Sequence, residues 1–362
     1  MKKVLLVHSE FPHKGKNYGG AKKMITWLGN ALAANSFDVT FCSVYGNERA
    51  DSFDERTSSI ELNLSYSDSF FTRNVLFFFS FTKAIKKYLK SNSYDVVISF
   101  GETSYFVLLL YKYIYKYKLV VSERLDPNND GAVFNRFRRF LYRYVDILVC
   151  QTVGAKCCFS KKAQEHAVVI PNPVNIPVEI WSYDKNIHSI CTSGRLDLNQ
   201  KRQDVLLKGF AKFLSNHNDY TLNIYGGGPD DNKLKDLSIN LGISNNVSFW
   251  GHTRDINQHL KKNTIFVLSS DFEGIPNALL EAMALGMPVI STKCSPGGAE
   301  LLIKNKENGL LIDCGDSEAL AEALDLYASD INTAIFYANN ARKSMEAYDP
   351  NIIIKMWTKV LE

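Results

Sequence analysis

The sequence lacks the markers of several protein classes. Its seven cysteines include no Cys-x-x-Cys pair and no metal-ligand spacing, so neither a disulfide scaffold nor a zinc module is indicated. The net charge of +4 over 362 residues is too small for a typical nucleic-acid-binding protein. The apolar run at residues 4–7 is too short for a signal peptide, and residues 106–110 are far short of a transmembrane span. We therefore expect a cytoplasmic protein that is at most peripheral to a membrane.

What the sequence does contain is a repeated alternation of short apolar runs and amphipathic segments. The length predicts two domains, and all-apolar runs are typical of parallel strands that are covered on both faces. A second series of strands and helices begins at Ile190, after a segment in which residues 171, 173 and 177 are proline. Strands are predicted at residues 4–7, 39–44, 95–100, 119–122, 147–151, 168–171, 222–225, 247–251, 265–268, 289–292 and 308–312.

The most informative stretch is residues 269–281, Ser-Ser-Asp-Phe-Glu-Gly-Ile-Pro-Asn-Ala-Leu-Leu-Glu. It follows a predicted strand, and Pro276 suits the first turn of a helix that Gly286 ends. Glu273 then lies in a loop at the carboxyl end of the strand, and Glu281 lies about two turns into the helix. Ligands bind at that end of open parallel sheets, and a helix N-terminus favours anions. Taken alone, two such carboxylates are more often solvated surface charges.

This stretch resembles the E-x7-E motif of retaining glycosyltransferases of the family-4 type. Gly-Arg-Leu at 194–196 and Gln-Lys-Arg at 200–202 resemble the phosphate-binding segment of that family. Ser-Glu-Arg-Leu-Asp-Pro at 122–127 is similar to a motif of its capsule- and polysaccharide-building branch. The resemblance implies an α/β fold of two facing Rossmann-like domains, the GT-B architecture, with a cleft between them.

The same resemblance implies the domain limits and the reaction. Residues 1–172, with a returning helix at 350–362, would form an acceptor-binding domain, and residues 173–349 a nucleotide-sugar-binding domain. The enzyme would be a retaining, metal-independent hexosyl- or N-acetylhexosaminyltransferase that needs no cofactor. Its donor would be a nucleotide-sugar, most commonly UDP-linked in families of this kind. Its acceptor would be a glycan or a lipid-linked acceptor in cell-surface polysaccharide biosynthesis.

Residue roles are carried over from the matching motifs. Arg195 and Lys201 would neutralise the leaving diphosphate, and Glu273 would complete the catalytic set near the donor sugar. Glu281 would bind the ribose hydroxyls. The full donor-binding set is Gly19, Gly20, Arg195, Lys201, Glu273, Gly274, Asn277, Glu281, Gly297 and Gly298. The acceptor-side set is Glu102, Glu123 and Arg124.

Two aromatic and basic segments have two interpretations. Residues 70–89 contain six phenylalanines and three lysines, and residues 111–118 read Tyr-Lys-Tyr-Ile-Tyr-Lys-Tyr-Lys. One interpretation is helix packing against a core. The other is peripheral contact with anionic lipid headgroups, because Tyr and Lys combine an apolar body with a polar tip.

Two other functions fit the same architecture. One is a non-catalytic nucleotide-binding partner of a glycosyltransferase, and the other is a sugar-nucleotide epimerase. The presence of Arg195, Lys201, Glu273 and Glu281 favours the transferase.

Overall fold

The computed structural model divides the chain into two compact units. Unit 1 comprises Met1–Pro171 and Ile353–Glu362, and unit 2 comprises Asn172–Ile352. The sequence predicts the two divisions after residues 172 and 349, within three residues of these limits. The structure describes residues 1–8, 20–45, 52–64, 70–100, 104–124, 126–128, 132–253 and 255–362.

Unit 1 is an α/β unit built on a parallel sheet. Its described elements are β1 (Lys3–His8), α1 (Gly20–Ala34), β2 (Asp38–Ser43), β3 (Ser58–Glu61), α2 (Phe70–Ser91), β4 (Val96–Phe100), α3 (Ser104–Tyr115), β5 (Lys118–Ser122), α4 (Ala132–Leu141), a 3₁₀ turn (Tyr142–Tyr144), β6 (Ile147–Cys150), α5 (Val153–Cys157), α6 (Lys161–Gln164) and β7 (Ala167–Val169). Among these residues, seven strands pair in the order β3-β2-β1-β4-β5-β6-β7. The short apolar runs of the sequence therefore form a sheet of the predicted kind.

The sheet of unit 1 is covered on both faces, as its all-apolar strands predict. Successive residues of a strand point to opposite faces. Val4 and Leu6 lie in one hydrophobic cluster, which includes α1 side chains. Leu5 and Val7 lie in another, which includes α2 and α3 side chains. All four are fully buried.

The last helix, α14 (Pro350–Leu361), returns to unit 1. Its Trp357 is buried, with its ring centroid 6.2 Å from that of Phe100. The Nζ atoms of Lys2 and Lys118 donate to the carbonyl oxygens of Leu361 (3.1 Å) and Val360 (2.8 Å). Cations at a helix C-terminus satisfy its last carbonyls and complement its dipole.

Unit 2 repeats the α/β plan. Its elements are β8 (Ser189–Ser193), α7 (Gln203–Phe213), β9 (Thr221–Tyr225), α8 (Asp231–Asn240), β10 (Val247–Gly251), α9 (Ile256–Leu260), β11 (Ile265–Leu268), α10 (Asn277–Leu285), β12 (Val289–Thr292), α11 (Gly298–Leu302), β13 (Leu310–Ile312), α12 (Ser317–Ser329) and α13 (Ile331–Ser344). The described strands form a six-stranded parallel sheet in the order β10-β9-β8-β11-β12-β13. Two clusters again cover its faces, with Val267 in one and Phe266 and Leu268 in the other.

Three local features differ from the sequence interpretation. β3 was not predicted, because it is short and its residues are exposed or half-buried. α4 was not predicted either, although its phenylalanines recur every three residues, a spacing that is typical of a helix. Pro276 precedes the first turn of α10 as its N-cap with an extended backbone, instead of lying in that turn. Gly286 ends α10 with φ of 80°, as predicted.

Residues 111–118 do not form a single surface. Tyr111 and Tyr117 are buried, whereas Tyr113 is exposed. Lys112 pairs with Asp146 at 2.7 Å, and Lys118 is bound to the end of α14. Lys112 and Lys118 are therefore engaged within unit 1, whereas Lys116 is exposed, and membrane contact through residues 111–118 stays a prediction. No helix within the described residues is long and apolar enough to cross a bilayer.

Candidate functional site

The topology of unit 2 brings two loops together at one edge of its sheet. β8 and β11 are neighbours, but the chain continues from β8 toward β9 and from β11 toward β12. Such a reversal in strand order leaves an opening at the carboxyl ends of the two strands, where ligands bind in open α/β sheets. Residues 194–202 follow β8, and residues 269–276 follow β11. These are the segments in which the sequence places Arg195, Lys201 and Glu273.

Hydrogen bonds join the two loops directly. The amide N–H of Asp271 donates to the carbonyl oxygen of Gln200 at 2.9 Å. The Ser269 hydroxyl donates to the carbonyl oxygen of Lys201 at 2.8 Å. The Gln200 side-chain amide reaches the carbonyl oxygen of Phe272 at 3.2 Å. The backbone around Lys201 is therefore held by the loop that carries Glu273.

Lys201 and Glu273 form an ion pair within this junction, with Nζ bound to Oε1. The side chains are only 18% and 9% exposed. The Ser270 hydroxyl donates to the same carboxylate oxygen at 2.7 Å. Gly194 lies beside the lysine, since a Cβ there would be 3.7 Å from Lys201 Cε. The structure thus brings two predicted site residues that are 72 positions apart in sequence into direct contact.

A second ion pair, which the sequence interpretation missed, joins the same loops. Arg202 Nη1 lies 2.7 Å from Asp271 Oδ2, and Arg202 Nε lies 3.0 Å from Asp204 Oδ1. Hydrogen bonds to Asp204 and Asp271 raise the pKa of Arg202. The only sequence signals were the adjacency of Arg202 to Lys201 and of Asp271 to the Glu273 motif. Arg202 and Asp271 position the loops around the Lys201–Glu273 pair.

Arg195 has a different environment from Lys201. Its side chain is 65% exposed, and its Nε is 3.8 Å from Asp197 Oδ2. Its carbonyl oxygen accepts a 2.8 Å hydrogen bond from the Gln203 side-chain amide. The backbone is therefore anchored while the guanidinium remains accessible to an anion in solution.

A glycine turn after β9 supports the Arg195 loop. A Cβ at Gly226 would lie 1.9 Å from the carbonyl oxygen of Gly194, and one at Gly228 would lie 2.2 Å from that of Leu196. Gly226 also has φ of 130°, which L side chains rarely adopt. His252 is exposed beside this turn.

The loop after β12 packs against the Glu273 loop. The Glu273 amide donates to the carbonyl oxygen of Ser295 at 2.7 Å. A Cβ at Gly298 would lie 2.1 Å from the carbonyl oxygen of Gly274. Gly297 has φ of 89°. The predicted residues Gly274, Gly297 and Gly298 are thus close to Glu273, and their donor-binding role stays a prediction.

Two more predicted residues lie on α10. Asn277 Oδ1 accepts a 2.7 Å hydrogen bond from the Asn172 side chain. Glu281 is half-buried one turn further along, on the same face of the helix. The two side chains continue the site from the Glu273 loop onto the helix.

The predicted unit 1 residues are less grouped. Gly20 begins α1, whereas Gly19 and Glu102 lie outside the described residues. Glu123 is buried, where Oε2 accepts a 2.9 Å hydrogen bond from Tyr142 and pairs with Arg138. Arg124 lies over the Phe100 ring at 4.4 Å, and burial lowers its pKa to about 9, so it is still cationic at neutral pH. The acceptor roles of these residues stay predictions.

Asp271→Asn tests the positioning role of the second ion pair. We expect Tm to fall by about 2–4 °C, the shift for ~1 kcal/mol in a unit of this size, because the amide keeps the shape but loses the charge. Asp231→Asn, which removes the same charge from an ion pair on α8, is the matched control and should change Tm less. Equal shifts in the two variants would contradict a special role for Asp271.

Gly298→Ala tests the contact between the loops after β11 and β12. The added methyl would overlap the Gly274 carbonyl, so the loops must separate. Gly315→Ala is the control, because it has φ of 77° but open space around its Cβ. The control should cost about 1–2 kcal/mol from backbone strain alone. We expect a larger loss of unfolding free energy for Gly298→Ala, and a smaller loss than in the control would refute the tight contact.

Comparison with known proteins places both units among described families. Residues 180–344 match the model for glycosyl transferases group 1, and residues 18–177 match the model for glycosyltransferase family 4. An uncharacterised glycosyltransferase of Haemophilus influenzae is 28% identical over 350 residues, covering 95% of this chain and 96% of the relative.

Two further comparisons add a named activity and a solved structure. A Campylobacter jejuni protein, named as an α-1,4-N-acetyl-D-galactosaminyltransferase acting on a diNAcBac-PP-undecaprenol-linked glycan, is 28% identical over 350 residues, covering 95% of each chain. The crystal structure of Anabaena HepE in complex with UDP and glucose superimposes with a TM-score of 0.80 at 18% identity, covering 100% of this chain and 99% of HepE. The structural similarity supports the same fold.

Proposed function

Since this chain belongs to the glycosyltransferases with two Rossmann-like domains, the GT-B fold, we propose that it transfers a sugar from a UDP-sugar to a lipid-linked glycan in cell-surface polysaccharide assembly. We further propose that transfer retains the anomeric configuration and needs no metal ion. The transferred unit would be a hexose or an N-acetylhexosamine.

The observation that carries the proposal is the ion pair of Lys201 with Glu273 where the strand order reverses, with Arg195 on the same loop as Lys201. As the bond between the anomeric carbon and the phosphate oxygen breaks, negative charge accumulates on the diphosphate. Fixed cations that face such a developing charge stabilise the transition state and need little reorganisation. In this proposal the two side chains supply the charge that a divalent ion supplies in other transferases.

The ion pair between Lys201 and Glu273 suggests how the donor is accepted. In the free protein the carboxylate neutralises and orients the ammonium group. An incoming phosphate oxygen would share the Lys201 hydrogen bonds, and Glu273 could then accept hydrogen bonds from hydroxyls of the donor sugar. Arg195 would close on the diphosphate from solvent, since its guanidinium is exposed and its backbone is anchored.

The anomeric configuration is retained if both bond changes occur on one face of the sugar. The bond from the anomeric carbon to the phosphate oxygen breaks, and the acceptor oxygen forms a new bond to that carbon. The acceptor proton passes to the departing phosphate oxygen, so a protein base is not required. Glu273 and Glu281 therefore need not act as a glycosidase pair, in which two carboxyl groups flank one bond.

The nucleotide and acceptor are inferred from relatives. HepE has been crystallised with UDP, and the Campylobacter relative is named for an undecaprenol-linked acceptor. By analogy Glu281 would bind the ribose, and Asn277 and the 297–298 glycines would border the diphosphate. From unit 1, Gly19 and Gly20 would contribute to donor binding, and Glu102, Glu123 and Arg124 would serve the acceptor side.

Arg195→Ala and Lys201→Ala test the leaving-group role. Loss of one fixed charge at a developing anion should lower kcat by about 10²–10³-fold. Arg195 is the cleaner probe, because its side chain is 65% exposed and its 3.8 Å contact with Asp197 is too long for a hydrogen bond. For Lys201, the double variant Lys201→Ala/Glu273→Gln removes the unpaired carboxylate as well.

The measurement is release of UDP by the purified protein with acceptor supplied, and Lys212→Ala on the exposed face of α7 is the control. Near-wild-type rates in Arg195→Ala and Lys201→Ala would refute the diphosphate assignment. Wild-type protein that binds the UDP-sugar without turning it over would instead favour a non-catalytic partner.

Glu281→Ala and Glu273→Ala separate binding from chemistry. A carboxylate that holds the ribose contributes equally in ground and transition states, so Glu281→Ala should raise KM and weaken UDP binding. Glu273→Ala should mainly lower kcat, because in this proposal the Glu273 carboxylate would lie beside the reacting bond. If calorimetry shows unchanged UDP affinity in Glu281→Ala, the ribose role is wrong.

A further inference from the structure

Unit 1 exposes a group of large apolar side chains on α3, α4 and the 3₁₀ turn. The group, here the α3–α4 surface, consists of residues that are between 41% and 70% exposed: Leu110, Tyr113, Ile114, Phe137, Phe140 and Tyr144. Single exposed apolar residues are normal on soluble proteins. Clustered ones mark interaction sites.

Contacts between rings make the α3–α4 surface continuous. Phe106 of α3 stacks on Phe137 of α4, with ring centroids 5.3 Å apart. Phe140 meets Tyr144 edge to face at 5.8 Å. Lys112 connects the 3₁₀ turn with α3. Its Nζ donates to the Tyr144 carbonyl oxygen at 3.0 Å and lies 5.2 Å from the Tyr113 ring centroid.

Basic side chains accompany these rings. The Arg143 guanidinium lies 4.1 Å from the Phe140 ring centroid, and Lys162 Nζ lies 6.0 Å from that of Tyr144. Arg136 is exposed on α4, one turn before Phe140. On α2, Lys83, Lys86, Lys87 and Lys90 are also exposed.

The charge is strongly concentrated in this part of the chain. α2, α3, α4 and the 3₁₀ turn together contain ten Lys and Arg residues and no Asp or Glu, although Arg138 is buried against Glu123 and Lys112 pairs with Asp146. The whole chain has a net charge of only +4, so the remaining residues are net acidic. α2 joins the same region, because the Tyr111 hydroxyl binds the Thr82 carbonyl at 3.3 Å.

We propose that the α3–α4 surface binds the headgroup region of an anionic phospholipid bilayer. Aromatic rings with neighbouring arginines suit that region, where the rings enter the acyl boundary and the cations meet lipid phosphates. A second copy of the chain fits poorly, because a symmetric contact would bring the same cations face to face. The inference extends the proposed function and rests on it, because membrane binding would bring the enzyme to a lipid-linked acceptor.

The experiment is co-sedimentation with phosphatidylglycerol-containing vesicles and with pure phosphatidylcholine vesicles, at low and high salt. The wild-type protein should bind the anionic vesicles at low salt and be released at high salt. Phe137→Ser/Phe140→Ser removes two rings that enter the acyl boundary, and Arg136→Glu/Arg143→Glu reverses two charges. Each double variant should weaken binding at least about tenfold. For the arginines, the reason is that each basic residue near an anionic surface contributes roughly fivefold. Leu326→Ser/Phe336→Ser, which replaces exposed apolar residues of unit 2, should bind like wild type.

Two readouts separate the possible failures. Sugar transfer to a water-soluble acceptor should be unchanged in the α3–α4 variants, so loss of vesicle binding with normal transfer supports the proposal. Wild-type protein that stays in the supernatant with anionic vesicles overturns it, and so does binding that the four substitutions leave unchanged. A dimer in light scattering that the variants dissociate would also overturn it, because the surface would then be a self-interface. Absent transfer by a wild-type protein that binds vesicles would count against the proposed function alone.

Discussion

The junction between the loops after β8 and β11 is the constraint on which the candidate site depends. A parallel sheet whose strand order reverses between these strands leaves both loops at one edge. The Lys201–Glu273 and Arg202–Asp271 ion pairs then join the loop after β8 to the loop after β11. Because residues 226 and 298 are glycines, their backbones can pack directly against the carbonyl groups of Gly194 and Gly274. Lys201 and Glu273 therefore take their positions from this junction.

The two cations of the site differ in a way that suits phosphate chemistry. Lys201 is largely buried and paired, so its position is set before a ligand arrives, whereas Arg195 is exposed on an anchored backbone. A buried ion pair contributes little net stability, because desolvation offsets its attraction. The presence of such a pair at the carboxyl ends of the strands is thus better explained by ligand binding than by folding.

Much of the fold could be predicted from the sequence, because buried parallel strands are short all-apolar runs that differ clearly from the helices between them. β11, α10 and the Gly286 stop of α10 follow from local signals. The pairing of Lys201 with Glu273 and the role of Asp271 could not be predicted, since they arise from strand order between residues about 70 positions apart. The burial of Tyr111 beside the exposure of Tyr113 likewise depends on how α3 packs, which alternating Tyr and Lys does not reveal.

Hydrogen-exchange mass spectrometry with and without saturating UDP tests the central claim most directly, because it maps where the nucleotide acts without relying on any substitution. Bound UDP should slow exchange in residues 194–203, 269–276 and 295–300, which follow β8, β11 and β12. Peptides from the opposite edge of the same sheet, such as residues 214–220, should be unchanged. Calorimetrically verified binding of UDP with protection confined to other segments would contradict the account.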